Sequence, residues 1–384
     1  MKKIVFISTH DYKAKRQGGF HVFAEKLSKD FDVIFFSYPR SFFIKIRKKK
    51  LIEYDNISYC KDRDEMYGNV RNISTMLFIP PVSILRYFPK RVVEWAFRLR
   101  LPSFKKYCKQ HFKGVDYFIL ESNPSVIIFD YLRQEFPQAK FLYRPSDPML
   151  KSPELKFYHE YEINVIRKCN FIFAVNQDGV DLYRQYVPEL GNNRIEIISN
   201  GIEMASYEKT YSIPKEYEGL NNRICYIGAR PAEWGVVIEA AKRVDNANFI
   251  VICPEVPPQN FMVALKELKN LHYIQGISPS LVPQFVTNAD IIMIPNPTGM
   301  YKKYPWGITA KYYQAMRSGK QIVVYSDDAK LKKYGIVVTQ TFDEFIVEIL
   351  NALQDIHRVN YDFDFSGKDW NFLTSKMKSI IDTI

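Results

Sequence analysis

Short apolar runs alternate with amphipathic stretches along almost the whole chain. Residues 4–8, 33–37, 116–120, 140–143, 171–175 and 196–198 are compact apolar runs of strand length. Between them, residues 18–28, 125–135, 154–168 and 178–186 repeat apolar positions at helical spacing. Residues 82–112 also read as largely helical, with breaks near Pro89 and Pro102. A polar stretch at 200–222, rich in Glu, Lys, Tyr and Ser, reads as an interdomain linker. The pattern then restarts. Strands are predicted at 224–227, 249–253, 272–274, 291–294 and 321–325. Helices are predicted at 233–244, 259–268, 279–287, 309–318, 342–353 and 368–382. Strands alternating with helices predict a parallel α/β architecture. Two successive runs of it predict two Rossmann-like domains, residues 1–203 and 204–384. Ligands of such sheets bind beyond the carboxyl ends of the strands.

The length of 384 residues suits two domains. Hydrophobic residues at 47% and charged residues at 25% exclude disorder as the main state. No apolar run approaches the roughly 18–20 residues of a membrane-spanning helix. The apolar segment after Lys2 and Lys3 is too short for a signal-peptide core, so a cytoplasmic location, or one on the cytoplasmic face of a membrane, is expected. The five cysteines are scattered without CxxC spacing, and His159-Glu160 lacks the second histidine of HExxH. No metal and no cofactor is therefore expected. Neither GxGxxG nor GxxxxGK[ST] occurs, which disfavours a nicotinamide dehydrogenase and a P-loop NTPase.

Charge sharpens the picture. The net charge is +12, yet residues 201–384 hold 20 basic and 20 acidic side chains. Residues 1–113 hold 25 basic and 10 acidic ones. Residues 40–50 read RSFFIKIRKKK, and residues 84–113 interleave nine Lys/Arg with Tyr87, Phe88, Trp95, Phe97, Phe104, Tyr107 and Phe112. Cations among large rings suit an anionic membrane surface. The same pattern serves nucleic acid, or a core helix with a solvated face. No nucleic-acid motif accompanies it, and no nucleic-acid partner is expected.

Residues 304–326 read YPWGITAKYYQAMRSGKQIVVYS. Lys311 and Gln314 fall one turn apart on one helix face. A helix start with a lysine beside it favours a diphosphate. This segment resembles the nucleotide-sugar helix of GT-B glycosyltransferases. RICYIGAR at 223–230, IISNGI at 197–202, the strand ADIIMIP at 289–295 and the Gly18-Gly19 turn resemble other parts of that fold, in the right order. The run LYRPSDPM at 142–149, preceded by Leu120-Glu121-Ser122, is similar to the glucuronosyltransferases of the xanthan pathway.

That resemblance implies a GT-B fold, two Rossmann-like domains facing across a cleft, with the final helix 367–384 returning to the first domain. It implies an inverting, metal-independent transfer of a sugar, glucuronic acid among the candidates. The donor is a UDP-sugar and the acceptor a lipid-diphosphate-linked oligosaccharide, as in exopolysaccharide or capsule synthesis. It implies attachment to the inner face of the cell membrane through residues 40–50 and 84–113. Asp147 is implied as general base. Lys311, Gln314, Ala310, Thr309, Asn296 and Arg230 are implied on the donor side. Gly18, Gly19, His21, Glu121 and Arg144 are the acceptor-side candidates. Arg230, Lys302 or Lys303 could read a sugar carboxylate. At Asn296 the relatives carry an aromatic residue and at Arg230 an apolar one. Asp62-Arg63-Asp64 is expected to be a solvated loop. Two other readings stand beside this one: a UDP-sugar epimerase of the same fold, and a non-enzymatic membrane- or nucleic-acid-binding protein on that scaffold.

Overall fold

The computed structural model describes residues 1–14, 17–38, 62–228, 232–297 and 308–384. It divides into two compact units, Met1–Ser199 with Asn371–Ile384, and Asn200–Trp370.

The first unit runs β1 (Lys3–Ser8), α1 (Gly19–Leu27), β2 (Asp32–Ser37), β3 (Arg63–Tyr67), β4 (Val70–Ser74), α2 (Val82–Leu85), α3 (Lys90–Ala96) and α4 (Phe104–His111). It continues with β5 (Tyr117–Leu120), α5 (Phe129–Glu135), β6 (Lys140–Tyr143), α6 (Lys156–Lys168), β7 (Phe171–Ala174), α7 (Gln177–Tyr186) and β8 (Ile195–Ile197). Its sheet has the order β3-β4-β2-β1-β5-β6-β7-β8. All described pairs are parallel except β3–β4. Strands β1 and β5 are apolar nearly throughout because helices cover both faces. The order reverses between β2-β1 and β5-β6, which opens a crevice at the carboxyl ends of β1 and β5.

The second unit runs β9 (Arg223–Ile227), α8 (Trp234–Arg243), β10 (Asn248–Ile252), α9 (Gln259–Glu267), β11 (Leu271–Ile274), α10 (Val282–Thr287) and β12 (Ile291–Pro295). It ends with α11 (Ala310–Arg317), β13 (Gln321–Tyr325), β14 (Val337–Thr339) and α12 (Phe342–Gln354). The sheet order is β11-β10-β9-β12-β13-β14, parallel in every pair, with its own reversal between β9 and β12. Alternate residues of β9 feed two cores. Ile224 and Tyr226 join Val237, Phe249 and Phe345 on one face, while Cys225 joins Phe285, Tyr312 and Val324 on the other.

Three expectations are corrected. Residues 200–222 are no free linker. Tyr207 and Tyr217 are buried in the second unit's core, and the Tyr217 hydroxyl donates to Cys225 Sγ at 2.9 Å. The first break falls at Ser199 rather than at residue 203, because Ile202 bridges Asp369 and its amide meets the Lys368 carbonyl at 2.9 Å. Asp62-Arg63-Asp64 runs into strand β3, where Arg100 pairs with Asp62 and Arg71 with Asp64, each at 2.5 Å. The last helix, α13 (Trp370–Thr383), belongs to the first unit from Asn371 onward. Its Lys26–Asn371 hydrogen bond spans 2.9 Å and its Lys376–Glu196 pair 2.5 Å.

Candidate active site

In the first unit, the carboxyl ends of β1, β5 and β6 deliver Ser8, Glu121 and Arg144 to one place. Strand register does this. The Glu121 amide meets the Ile7 carbonyl at 3.2 Å, and the Arg144 amide meets the Leu120 carbonyl at 2.9 Å. Glu121 and Arg144 are both buried, Arg144 completely. The Ser146 hydroxyl joins them, accepting from Arg144 at 3.1 Å and donating to Glu121 Oε1 at 2.6 Å. Ser8 and Asn123 also donate to Glu121 Oε2, Asn123 at 3.2 Å.

Burial alone would raise the Glu121 carboxyl. His10, the Ser146 and Ser8 hydroxyls and His21 outweigh it and hold that carboxyl below its ordinary value. Burial brings the Arg144 guanidinium down to about 10, against the pull of Glu121 and Asp147. That guanidinium also lies 5.2 Å from the centre of the Phe23 ring.

Asp147 sits beside this network and is only partly buried. Its backbone is pinned: Ser122 Oγ accepts from the amides of Ser146 at 3.1 Å and Asp147 at 3.2 Å. A partly open carboxylate next to a buried cation can take up and release a proton at a fixed position.

Other acceptor-side candidates are placed differently. His21 is buried, with Nδ1 accepting from the Gly18 amide at 3.3 Å and Nε2 meeting the Asp11 carbonyl at 3.2 Å. Both nitrogens are thus engaged with the β1–α1 connection. Gly18 has an ordinary extended backbone, and a Cβ built on it would touch nothing. Gly19 opens α1. The β1–α1 connection is further fixed by Asp11, whose buried carboxylate pairs with Arg63.

In the second unit, β12 ends at Pro295 and hands Asn296 to the crevice. Asn296 is buried and its amide bonds the Tyr325 carbonyl at 3.0 Å. Its side chain is a hub: Lys311 Nζ donates to Oδ1 at 3.2 Å, and Nδ2 donates to the Tyr312 hydroxyl at 3.1 Å. Lys311 also lies 5.4 Å from the centre of the Tyr226 ring. A Cβ on Gly228 would collide with that tyrosine's ring and hydroxyl, so glycine is needed there. Thr309 caps α11 without a side-chain cap bond, and its buried Oγ1 has no partner among the described residues. Ala310 begins the helix, and Gln314 follows one turn after Lys311, partly buried. Helix-start amides, a lysine and an unpartnered hydroxyl are the kinds of group that bind an anion. Arg230, Lys302 and Lys303 lie outside the described residues, as do residues 40–50.

Residues 6–175, which include Asp147, match the family described as glucuronosyltransferase GumK, N-terminal domain. No curated protein sequence matches the chain. Among solved structures, HepE of Anabaena in complex with UDP aligns over 100% of both chains at 14% identity, with a TM-score of 0.62. An E. coli structure described as trehalose-6-phosphate bound with UDP-2-fluoro glucose aligns over 100% of this chain and 99% of its own. Its identity is 10% and its TM-score 0.64. The UDP-forming α,α-trehalose-phosphate synthase of Burkholderia vietnamiensis aligns over 100% of both chains at 10% identity and a TM-score of 0.60. By fold, this chain is similar to these structures: it has the GT-B arrangement of two Rossmann-like units.

Within the GT-B frame, the basic region at 84–113 divides in two. Phe97, Phe104, Tyr107 and Phe112 are core residues. Tyr87, Phe88 and Trp95 are 74%, 50% and 58% exposed, together with Ile84, Val92 and Leu101. Arg86, Lys90, Arg91, Lys105 and Lys106 are exposed alongside them. Among the described residues, no helix is long and apolar enough to cross a membrane, and no three His, Cys, Asp or Glu side chains gather as a metal ion would require. Sequence reasoning did not single out Ser8 and His10 at the first candidate site, or Tyr226 and Tyr312 at the second. Each follows or ends a predicted strand or sits on a predicted helix, so element position was the available signal.

Proposed function

We propose that this protein transfers a sugar from a UDP-sugar to a hydroxyl of a lipid-diphosphate-linked oligosaccharide, with inversion at the anomeric carbon. The observation that carries the reading is the start of α11: Lys311 against Asn296, with the unpartnered Thr309 hydroxyl and the first helix amides beside it. UDP in HepE and UDP-2-fluoro glucose in the E. coli structure support a uridine donor. The match to a glucuronosyltransferase N-terminal domain makes glucuronic acid the first donor sugar to test.

In the proposed step, Asp147 accepts the proton of the acceptor hydroxyl. The acceptor oxygen bonds to the anomeric carbon as the bond from that carbon to UDP breaks. UDP leaves with the electron pair, and Lys311 and the α11 amides take up its charge without a divalent ion. The exposed aromatic and basic surface around Tyr87 and Trp95 supports docking on the inner face of the cell membrane. Such an enzyme fits exopolysaccharide or capsule assembly.

Titration calorimetry with UDP, other nucleoside diphosphates and a series of UDP-sugars tests the donor side. Saturable UDP binding is expected, weakened roughly 10- to 100-fold by Lys311→Ala, the scale of one lost hydrogen bond to a charged group. A folded protein that binds none of these ligands, or a Lys311→Ala variant with unchanged affinity, contradicts the reading.

A further inference from the structure

One fully buried carboxylate lies behind the Asp147 segment and takes no part in the chemistry above. Glu162 is on α6, and it is 0% exposed. Its Oε1 accepts from the Tyr143 hydroxyl at 2.7 Å and from the Tyr183 hydroxyl at 3.1 Å. Its Oε2 accepts from the Leu150 amide at 2.9 Å. Tyr143 ends β6, Tyr183 comes from α7, and Leu150 belongs to the turn that follows Asp147-Pro148. One turn earlier on α6, His159 Nε2 meets the carbonyls of Met149 at 2.9 Å and Ser152 at 3.1 Å. Two carbonyl partners require Nε2 to carry the hydrogen.

The Asp147 segment is therefore gripped from two sides. Ser122 takes the amides of Ser146 and Asp147 from the strand side. Glu162 takes an amide of the following turn, and His159 gives a hydrogen to its carbonyls, from the helix side. An acceptor and a donor spaced one turn apart on a helix fix both the position and the direction of a short peptide segment.

We infer that Glu162, seconded by His159, is a positioning residue that sets the place of Asp147 for proton transfer. The inference rests on the reading of Asp147 as general base. It has a physical motive. A buried carboxylate is costly, and among the described residues Glu162 has no cationic partner to offset that cost. The groups bonded to it are two tyrosine hydroxyls and the Leu150 amide, all hydrogen donors, and all best served by the ionised form. Burial lifts this carboxyl to about 7, against the pull of those donors. The grip is then strongest in the ionised state and loosens as the pH falls through neutrality. A misplacement of about 1 Å can cost on the order of 100-fold in rate.

The test compares wild type, Glu162→Gln, His159→Ala, Tyr183→Phe and Asp147→Asn by steady-state kinetics and by amide hydrogen exchange. In Glu162→Gln, kcat is expected to fall roughly 10- to 100-fold with UDP affinity unchanged. The acid limb of the kcat profile near neutrality should flatten, and amides of residues 149–152 should exchange faster. Tyr183→Phe, which keeps the carboxylate and removes one donor, should show a smaller loss in the same direction. It carries the test if Glu162→Gln does not fold. Unchanged exchange at 149–152 overturns the grip, whatever the activity. Faster exchange with unchanged kcat and unchanged pH profile, while Asp147→Asn is inactive, overturns the catalytic consequence. An active Asp147→Asn rejects the base assignment and the catalytic half of the inference with it, and exchange still decides the grip.

Discussion

Two buried titratable side chains near the first crevice pull stability in opposite directions with pH. Burial lowers His21 from 6.5 to about 4, so the unfolded chain takes up a proton that the folded protein refuses. Stability from this group is present above pH 6.5 and is lost as the pH falls toward 4. Burial raises Glu162 from 4.5 to about 7, so the folded protein keeps a proton that the unfolded chain gives up. Stability from that group is present below pH 4.5 and is lost as the pH rises toward 7. Each full loss is about 3 kcal/mol at 1.36 kcal/mol per pH unit. Urea unfolding between pH 4 and 7.5 should show His21→Asn gaining on wild type as the pH falls. Glu162→Gln should gain on wild type as the pH rises. Parallel curves for His21→Asn and wild type would contradict the placement of His21 as a buried neutral ring.

Elements with a continuous apolar run or a clear helical face were legible without coordinates. Strands β1, β12 and β13 are such runs, and α12 carries its own start signal. Thr341 Oγ1 accepts from the Glu344 amide at 3.2 Å, and Glu344 Oε2 accepts from the Thr341 amide at 3.2 Å. Thr341→Ala should cost about 1 kcal/mol in unfolding free energy with UDP binding unchanged; a loss near zero would mean the cap does not hold the helix in solution.

The hairpin β3–β4 was illegible because β3 opens on Arg63, Asp64 and Glu65, and Asp64 pairs across the ladder with Arg71. Strand β14 is only three residues long. At the site, Glu121, Arg144 and Asp147 were legible because each follows a readable strand. Glu162 was not. A glutamate in an amphipathic helix reads as solvated, and its burial depends on Tyr143 and Tyr183, which lie on other elements. His21 read as an acceptor contact, and only the fold reveals that both ring nitrogens are engaged.

At the scale of the whole chain, the uneven charge is the main physical signal. The first 113 residues carry an excess of 15 positive charges, while residues 201–384 are balanced. On the proposed function, such an asymmetry would draw an anionic surface to the first domain. Exposed Tyr87, Phe88 and Trp95 add rings suited to the headgroup level. The protein should co-sediment with vesicles containing anionic lipid and bind neutral vesicles weakly. Raising salt should release it, and Trp95→Ala with Lys90→Ala and Arg91→Ala should weaken binding while UDP affinity stays the same. Binding that ignores lipid charge and salt would contradict an electrostatic dock.

The central claim is a transferase whose proton acceptor is Asp147. The most direct measurement is UDP release from UDP-sugars in the presence of a lipid-diphosphate oligosaccharide, for wild type and for Asp147→Asn, with UDP affinity measured on both. The account predicts acceptor-dependent turnover by wild type. For Asp147→Asn it predicts a loss of roughly 100- to 10,000-fold, the range of a positioned general base, with UDP binding intact. Turnover by Asp147→Asn within a few-fold of wild type would contradict it.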